Sequence, residues 1–72
     1  MKAIEQIERL KRMDGLIKTK STGNPEEFSE KLSVSQSHLF NLINELKARD
    51  APIRYNHRRE TYYYTEEYNL KI

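Results

Sequence analysis

Four side chains with hydrogen-bonding amide or hydroxyl groups recur in the middle of the sequence at intervals typical of a helix. They are Gln36, Ser37, Asn41 and Asn44. The amide of a Gln or Asn can form two hydrogen bonds with the edge of an adenine base in the DNA major groove. On the free face of a rigid helix, these residues would therefore suit base reading. Polar residues on a helix are also commonly just its solvated face, and this alternative stays open.

Positive charge is concentrated in a second segment, further along the chain. Arg54, Arg58 and Arg59 lie close together in sequence, near His57. Basic side chains bind phosphate oxygens, so this cluster predicts contacts with a DNA backbone, and Lys20 is a fourth candidate for such a contact. The alternative is a charged hairpin tip that only prevents strand edges from pairing with another chain.

Other kinds of chemistry lack suitable residues. His38 and His57 are far apart in sequence, and neither has a carboxylate or a second His at the spacing of metal ligands. The serines occupy capping and turn positions, without a glycine-rich nucleophile elbow. We therefore expect no catalytic residue, no metal site and no cofactor, and we expect that the chain is not an enzyme; no small-molecule effector is evident.

Length and composition set further limits. The chain has 72 residues, no Cys, 13 basic and 11 acidic side chains, and a formal net charge of +2. A domain of this size needs nearly every large apolar side chain for one core. The absence of Cys suits the reducing cytoplasm. The charged N-terminus and the lack of a long apolar run predict neither a targeting signal nor a membrane span.

Hydrophobic periodicity predicts helices that would position the candidate residues. The first spans about 2–19, and its apolar residues recur at every third or fourth position. This stripe consists of Ile4, Ile7, Leu10, Met13, Leu16 and Ile17. The second helix spans about 25–32, because Asn24 can cap it, Pro25 suits its first position and Glu27 can bond back to the cap.

The third helix is predicted over about 36–49. It follows a break in the pattern, where Ser35 can cap the new helix through its hydroxyl. The apolar residues of this helix share one face, and they are Leu39, Leu42, Ile43 and Leu46. The opposite face, expected to meet solvent or a partner, carries Ser37, Asn41, Asn44 and Ala48. Phe40 lies beside the apolar stripe, and we expect it to pack in the core.

A change of pattern after the third helix predicts a β-hairpin over about 53–65. Two segments rich in β-branched and aromatic residues flank a polar stretch from Asn56 to Glu60. Alternation in a strand puts Tyr62 and Tyr64 on one face, as cover for the core, and Tyr63 on the other. The fold class predicted is therefore mainly α with a small antiparallel β-hairpin, or α+β.

The last segment, 66–72, allows two interpretations. Tyr68, Leu70 and Ile72 alternate with polar residues. This alternation is typical of a third strand. It is equally compatible with an irregular tail folded across the core.

Two helices joined by a tight turn and followed by a hairpin have the order of a three-helix winged helix-turn-helix, whose third helix enters the DNA major groove. Over about 4–65, the chain resembles the small winged helix-turn-helix domains at the N-termini of biotin-repressor-like and DeoR-like bacterial regulators. The resemblance rests on EEFSEKLSVS at 26–35, Leu39-Phe40 with INEL at 43–46, and Ala51-Pro52-Ile53 before a Tyr-rich strand. It implies that 36–44 is the recognition helix and that the hairpin contacts phosphates or the minor groove.

The chain departs from the pattern of this family in the turn and in the third helix. Ser33 replaces a Gly that is frequent in the turn. Gln36, Ser37 and Asn41 replace residues that are often basic in the family. Phosphate attraction from this helix is therefore expected to be small.

Two functions follow from these observations. The first is a module that binds double-stranded DNA in bacterial transcriptional control, and such modules usually dimerise. The second is a winged-helix module that binds protein and not DNA, which the near-neutral charge and the non-basic third helix favour. Salt separates the two, because phosphate binding weakens as salt rises and an apolar protein interface scarcely responds.

Overall fold

The chain folds as three α-helices followed by a two-stranded antiparallel hairpin. The computed structural model describes the backbone of residues 2–71 and the side chains of residues 5–71. The elements are α1 (Lys2–Lys18), α2 (Pro25–Leu32), α3 (Gln36–Ala48), β1 (Ile53–Asn56) and β2 (Thr61–Tyr64). The predicted α+β fold class is confirmed, and each helix begins and ends within one residue of its expected position.

Helix α1 presents one apolar stripe to the core although a glycine interrupts its last turns. Leu10, Met13 and Ile17 are fully buried, as expected for apolar residues that recur every three or four positions. Gly15 lies on the exposed side, where an added methyl group would contact nothing within 4 Å. Burial of the stripe outweighs the cost of about 1 kcal/mol that a helical glycine carries. The side chain of Ile4, the first member of the predicted stripe, lies outside the described residues.

The start of α2 is fixed by a reciprocal pair of hydrogen bonds. The Asn24 Oδ1 atom accepts from the backbone N–H of Glu27 at 2.8 Å, and the Asn24 N–H donates to Glu27 Oε1 at 3.0 Å. Pro25 occupies the first helical position, where no backbone donor is needed. The three start signals in the sequence are therefore confirmed.

The turn between α2 and α3 is built around a serine in a conformation that favours glycine. Ser33 has φ 58° and ψ 43°, in the left-handed region. Its N–H donates to the Glu30 carbonyl at 3.0 Å, and the N–H of Val34 donates to the Ser29 carbonyl, also at 3.0 Å. These bonds satisfy carbonyl groups at the end of α2. The tight turn is formed without the glycine that its backbone conformation favours.

Every helix and both strands contribute to the hydrophobic core. Its buried members are Leu10, Met13, Ile17, Phe28, Leu32, Leu39, Leu42, Ile43, Leu46, Ala51, Ile53 and Tyr62. The ring of Phe28 in α2 packs against that of Tyr62 in β2, with centroids 5.5 Å apart. The hairpin therefore contributes to the core, and the apolar surface that it buries there holds it against the helices.

One face of the hairpin, which includes Tyr62 and Tyr64, packs against the core. The strands pair from Ile53 opposite Tyr64 to Asn56 opposite Thr61. Tyr62 is buried, and Tyr64 packs against the core. Tyr63 is on the other face of β2, and its cross-strand partner is Arg54 of β1. The predicted facing of the three tyrosines is confirmed.

The C-terminal segment folds across the core without adding a strand. Residues 66–71 form no strand. The ring of Tyr68 lies 5.0 Å from that of Tyr64, and its hydroxyl donates to the Arg49 carbonyl at 3.0 Å. Leu70 also packs against the core. Of the two interpretations of this segment, the irregular tail is therefore correct as far as residue 71, and Ile72 lies outside the described residues.

Candidate nucleic-acid interface

The polar face of α3 is open to solvent along its length. Gln36, Ser37, Asn41 and Asn44 are all exposed. The opposite face contains the four buried residues Leu39, Leu42, Ile43 and Leu46. The predicted facing of the helix is confirmed, and the four candidate base-reading residues lie together on its free side.

Polar contacts hold both ends of α3 in addition to its buried face. The Ser35 hydroxyl accepts from the His38 N–H at 3.1 Å and caps the start of the helix. Near the other end, Glu45 Oε1 accepts from Gln6 Nε2 of α1 at 3.0 Å, and Glu45 Oε2 lies 3.6 Å from Arg49. The exposed face is thus carried by an element with a defined position, as base reading requires.

Phe40 is exposed, which corrects the expectation that it packs in the core. Its side chain retains 45% of its accessible surface. Residues of an α-helix turn by about 100° each, so Phe40 points well away from Leu39, the residue before it. Leu39 and Ile43 fill the adjoining part of the core. Phe40 therefore joins the exposed side of α3, next to the amide-bearing residues.

The turn of the hairpin is ordered by one asparagine. Asn56 Oδ1 accepts from the backbone N–H of Arg58 at 2.9 Å and of Arg59 at 3.0 Å. Glu60 follows with φ 52°, and the His57 ring packs edge-on against Tyr55 at 4.8 Å. The Arg58 and Arg59 side chains are exposed. The backbone of the tip is therefore held while its two guanidinium groups face solvent.

The basic residues of the hairpin make no ion pair with any side chain in the described part of the chain. The ion pairs present there join Lys18 to Asp14 at 3.5 Å and Arg49 to Glu45. Arg54, like the two arginines of the tip, is exposed. Guanidinium groups in this state can bind an external phosphate without first breaking an internal contact.

Lys20 is separated from the hairpin tip. It follows α1 with φ 56° and lines a depression of about 480 Å³ together with Tyr64, Glu66 and Glu67. Tyr64 pairs with Ile53, at the end of the hairpin opposite to the tip. The structure therefore places Arg54, Arg58 and Arg59 on the hairpin, while Lys20 lies elsewhere, in a depression that Lys18, Glu66 and Glu67 also line.

A buried pair of threonines joins the hairpin to the loop between α1 and α2. The hydroxyls of Thr22 and Thr61 are 3.1 Å apart, and Thr22 Oγ1 also accepts from the Tyr62 N–H at 2.8 Å. The Thr22 N–H donates to Thr61 Oγ1 at 3.3 Å. Sequence reasoning missed this contact, since Thr22 lies in a short polar break and its partner is 39 residues away.

The tyrosine hydroxyls on the core side of the hairpin stay protonated. Burial, and then the 2.7 Å hydrogen bond donated to Asp14 Oδ1, raise the pKa of Tyr64 far above its ordinary value. Burial also raises the pKa of Tyr62. The Tyr64 hydroxyl is thus a neutral donor that ties β2 to Asp14 of α1, and neither hydroxyl adds charge to the surface of the hairpin.

Comparison with known proteins finds no matching family model, no similar curated protein and no similar solved structure. Over residues 2–71, no helix is long and apolar enough to cross a membrane. The same part of the chain holds no group of three or more His, Cys, Asp and Glu side chains that could bind a metal ion. The function must therefore be argued from the two exposed surfaces, on α3 and on the hairpin.

Proposed function

We propose that the chain is a winged helix-turn-helix domain that binds double-stranded DNA, with α3 in the major groove and the hairpin on the sugar-phosphate backbone. The observation that carries the proposal is the division of α3 into a buried apolar face and an exposed face with amide groups. A helix anchored in this way can hold Gln36, Asn41 and Asn44 against base edges.

The hairpin supplies the positive charge that the free side of α3 lacks between Gln36 and Asn44. No Arg or Lys occurs between Gln36 and Asn44. Arg54, Arg58 and Arg59 are exposed on the hairpin, and the hairpin is tied to the helices by its core packing and the Thr22–Thr61 contact. Since phosphate contacts fix register and base contacts specify sequence, the two surfaces have complementary roles.

The biological setting proposed here follows from the same resemblance that suggested the fold. The domain would act in transcriptional control in a bacterial cytoplasm. It would bind as a homodimer, because one small recognition helix gives limited affinity and specificity. A dimer with two-fold symmetry predicts a target with two related half-sites.

A selection from random duplexes, followed by a salt titration, tests the proposal. We expect one enriched motif, and we expect the logarithm of the affinity for that motif to fall linearly with the logarithm of the salt concentration. Fluorescence anisotropy on the selected duplex and on a scrambled duplex gives both quantities. Failure to bind any duplex at low salt would contradict the proposal and favour a protein-binding module, for which exposed Phe40 is the supporting observation.

A further inference from the structure

Phe40 is an unusual feature of the free side of α3. Among the described residues, it is the large apolar side chain that remains exposed, at 45% of its surface. Exposed apolar area is unfavourable in water, and its burial on binding is favourable by about 25 cal/mol per Å². In a small domain that uses most of its large apolar residues for the core, Phe40 is thus available to contact a partner.

The position of Phe40 identifies the surface that it shares. It lies four residues after Gln36 and four residues before Asn44, so the three side chains are neighbours along one side of the helix. Asn41 follows directly and is also exposed. The phenyl group is thus placed within the set of amides proposed to meet base edges.

The chemistry of this set matches one kind of base pair. In the major groove, the methyl group of thymine is the apolar contact, and adenine offers the acceptor and donor that an Asn or Gln amide satisfies. Guanine is bound most often by Arg or Lys. Neither occurs in the first part of α3, from Gln36 to Asn44, and the exposed Lys47 lies in the last turn of the helix. We propose that α3 reads adenine–thymine base pairs, with the Phe40 ring packed against a thymine methyl group. This inference rests on the proposed DNA-binding function.

Replacement of thymine by uracil tests the contact directly, because uracil lacks the methyl group and keeps the same base pairing. We expect the selected motif to be rich in adenine and thymine. Each dT of the motif is then replaced by dU, one position at a time, and the Kd is measured with the unaltered chain. At the position facing Phe40, we expect the affinity to fall about fourfold, the value of one buried methyl group.

Two variants assign the effect to the phenyl group. Phe40→Ala should bind more weakly and should no longer distinguish dT from dU at that position. Asn41→Ala is the matched control: it removes a proposed base-reading amide from the same surface, so it should weaken binding but keep the dT-to-dU difference. Circular dichroism checks that both variants are folded. If one variant does not fold, the dU series measured with the unaltered chain still tests the contact with thymine.

Four results would overturn the inference. A motif rich in guanine and cytosine, or a specific motif at which no dU replacement weakens binding, would refute thymine recognition and leave the proposed function intact. A dT-to-dU difference that persists in folded Phe40→Ala would show that another residue contacts the methyl group. Absence of binding to any duplex would refute the inference together with the proposed function, and Phe40 would then belong to a protein-binding surface.

Discussion

Helix α3 and the tip of the hairpin both expose polar side chains, but they differ in charge and in the way they are held. The free side of α3 from Gln36 to Asn44 is uncharged, and four buried apolar residues anchor it from behind. The tip carries exposed Arg58 and Arg59, and its backbone is held locally by the Asn56 side chain. A rigid neutral surface suits selection among bases, and a positively charged tip suits attraction to phosphate. The difference indicates that specificity and electrostatic affinity reside on separate elements, which can be altered independently.

The largest effect is expected from removing the anchor of α3. Leu39→Ala should lower the free energy of unfolding by about 2–5 kcal/mol, because Leu39 is fully buried and its truncation leaves a cavity. Urea unfolding followed by circular dichroism measures the change. Ser37→Ala, on the exposed side of the same helix, is the control and should change stability by less than about 0.5 kcal/mol. Equal losses in the two variants would disprove the facing on which the comparison depends.

The next effect concerns the charge of the tip. Arg58→Ala combined with Arg59→Ala should flatten the slope of log affinity against log salt by roughly two units, since about one counterion is released for each phosphate contact. Base preference in a duplex selection should stay the same. Stability should change little, because both side chains are exposed and their backbone N–H groups keep their bonds to Asn56.

The chain offers a control with the same change in charge. Lys18→Ala combined with Lys20→Ala also removes two positive charges, but these residues line a depression away from the tip, together with Glu66 and Glu67. We expect this variant to keep the salt slope of the unaltered chain. If both double variants flattened the slope equally, attraction would come from the overall charge of the protein, and the hairpin would have no special role.

A smaller effect is expected where the hairpin joins the helices. Thr22→Val keeps the shape of the side chain but leaves the buried Tyr62 N–H without its acceptor at 2.8 Å. An unsatisfied buried donor of this kind costs about 1–3 kcal/mol, measured by urea unfolding. Thr65→Val, at an exposed position just after β2, should cost less than about 0.5 kcal/mol. A stable Thr22→Val variant would show that core packing alone positions the hairpin.

The parts of the structure that the sequence predicts well depend on contacts between residues near each other in the chain. The start of α2 follows from Asn24, Pro25 and Glu27, which bond within four residues. The facing of α3 follows from apolar spacing. Contacts over long sequence distances were not predicted, because neither Thr22 nor Thr61 carries a local sign of its partner. The outward position of Phe40 was missed for a related reason, since a residue at the edge of an apolar stripe is buried or exposed according to what packs beside it.

The placement of charge shows the same limit. The cluster at Arg54, Arg58 and Arg59 is visible in the sequence because its members are close together, and a hairpin keeps them so. Lys20 was expected to join them in holding a DNA backbone. Its backbone role stays a prediction, but its place in a depression shared with Glu66 and Glu67, away from the tip, depends on how the tail crosses the core, and the alternation of residues in the tail was compatible with two different paths.

The smallest effect concerns the turn that sets the angle between α2 and α3. Ser33 adopts φ 58°, a conformation that is unfavourable for residues with a Cβ atom and free of strain for glycine. Ser33→Gly should therefore raise the free energy of unfolding by about 0.5–1 kcal/mol, after the greater freedom of glycine in the unfolded chain is allowed for. Ser33→Ala is the control, because alanine keeps the Cβ atom and removes only the hydroxyl. If alanine stabilised the protein as much as glycine, the hydroxyl and not the backbone would be the unfavourable group. Neither variant should change the base preference, since both leave the exposed side of α3 and the hairpin tip unaltered.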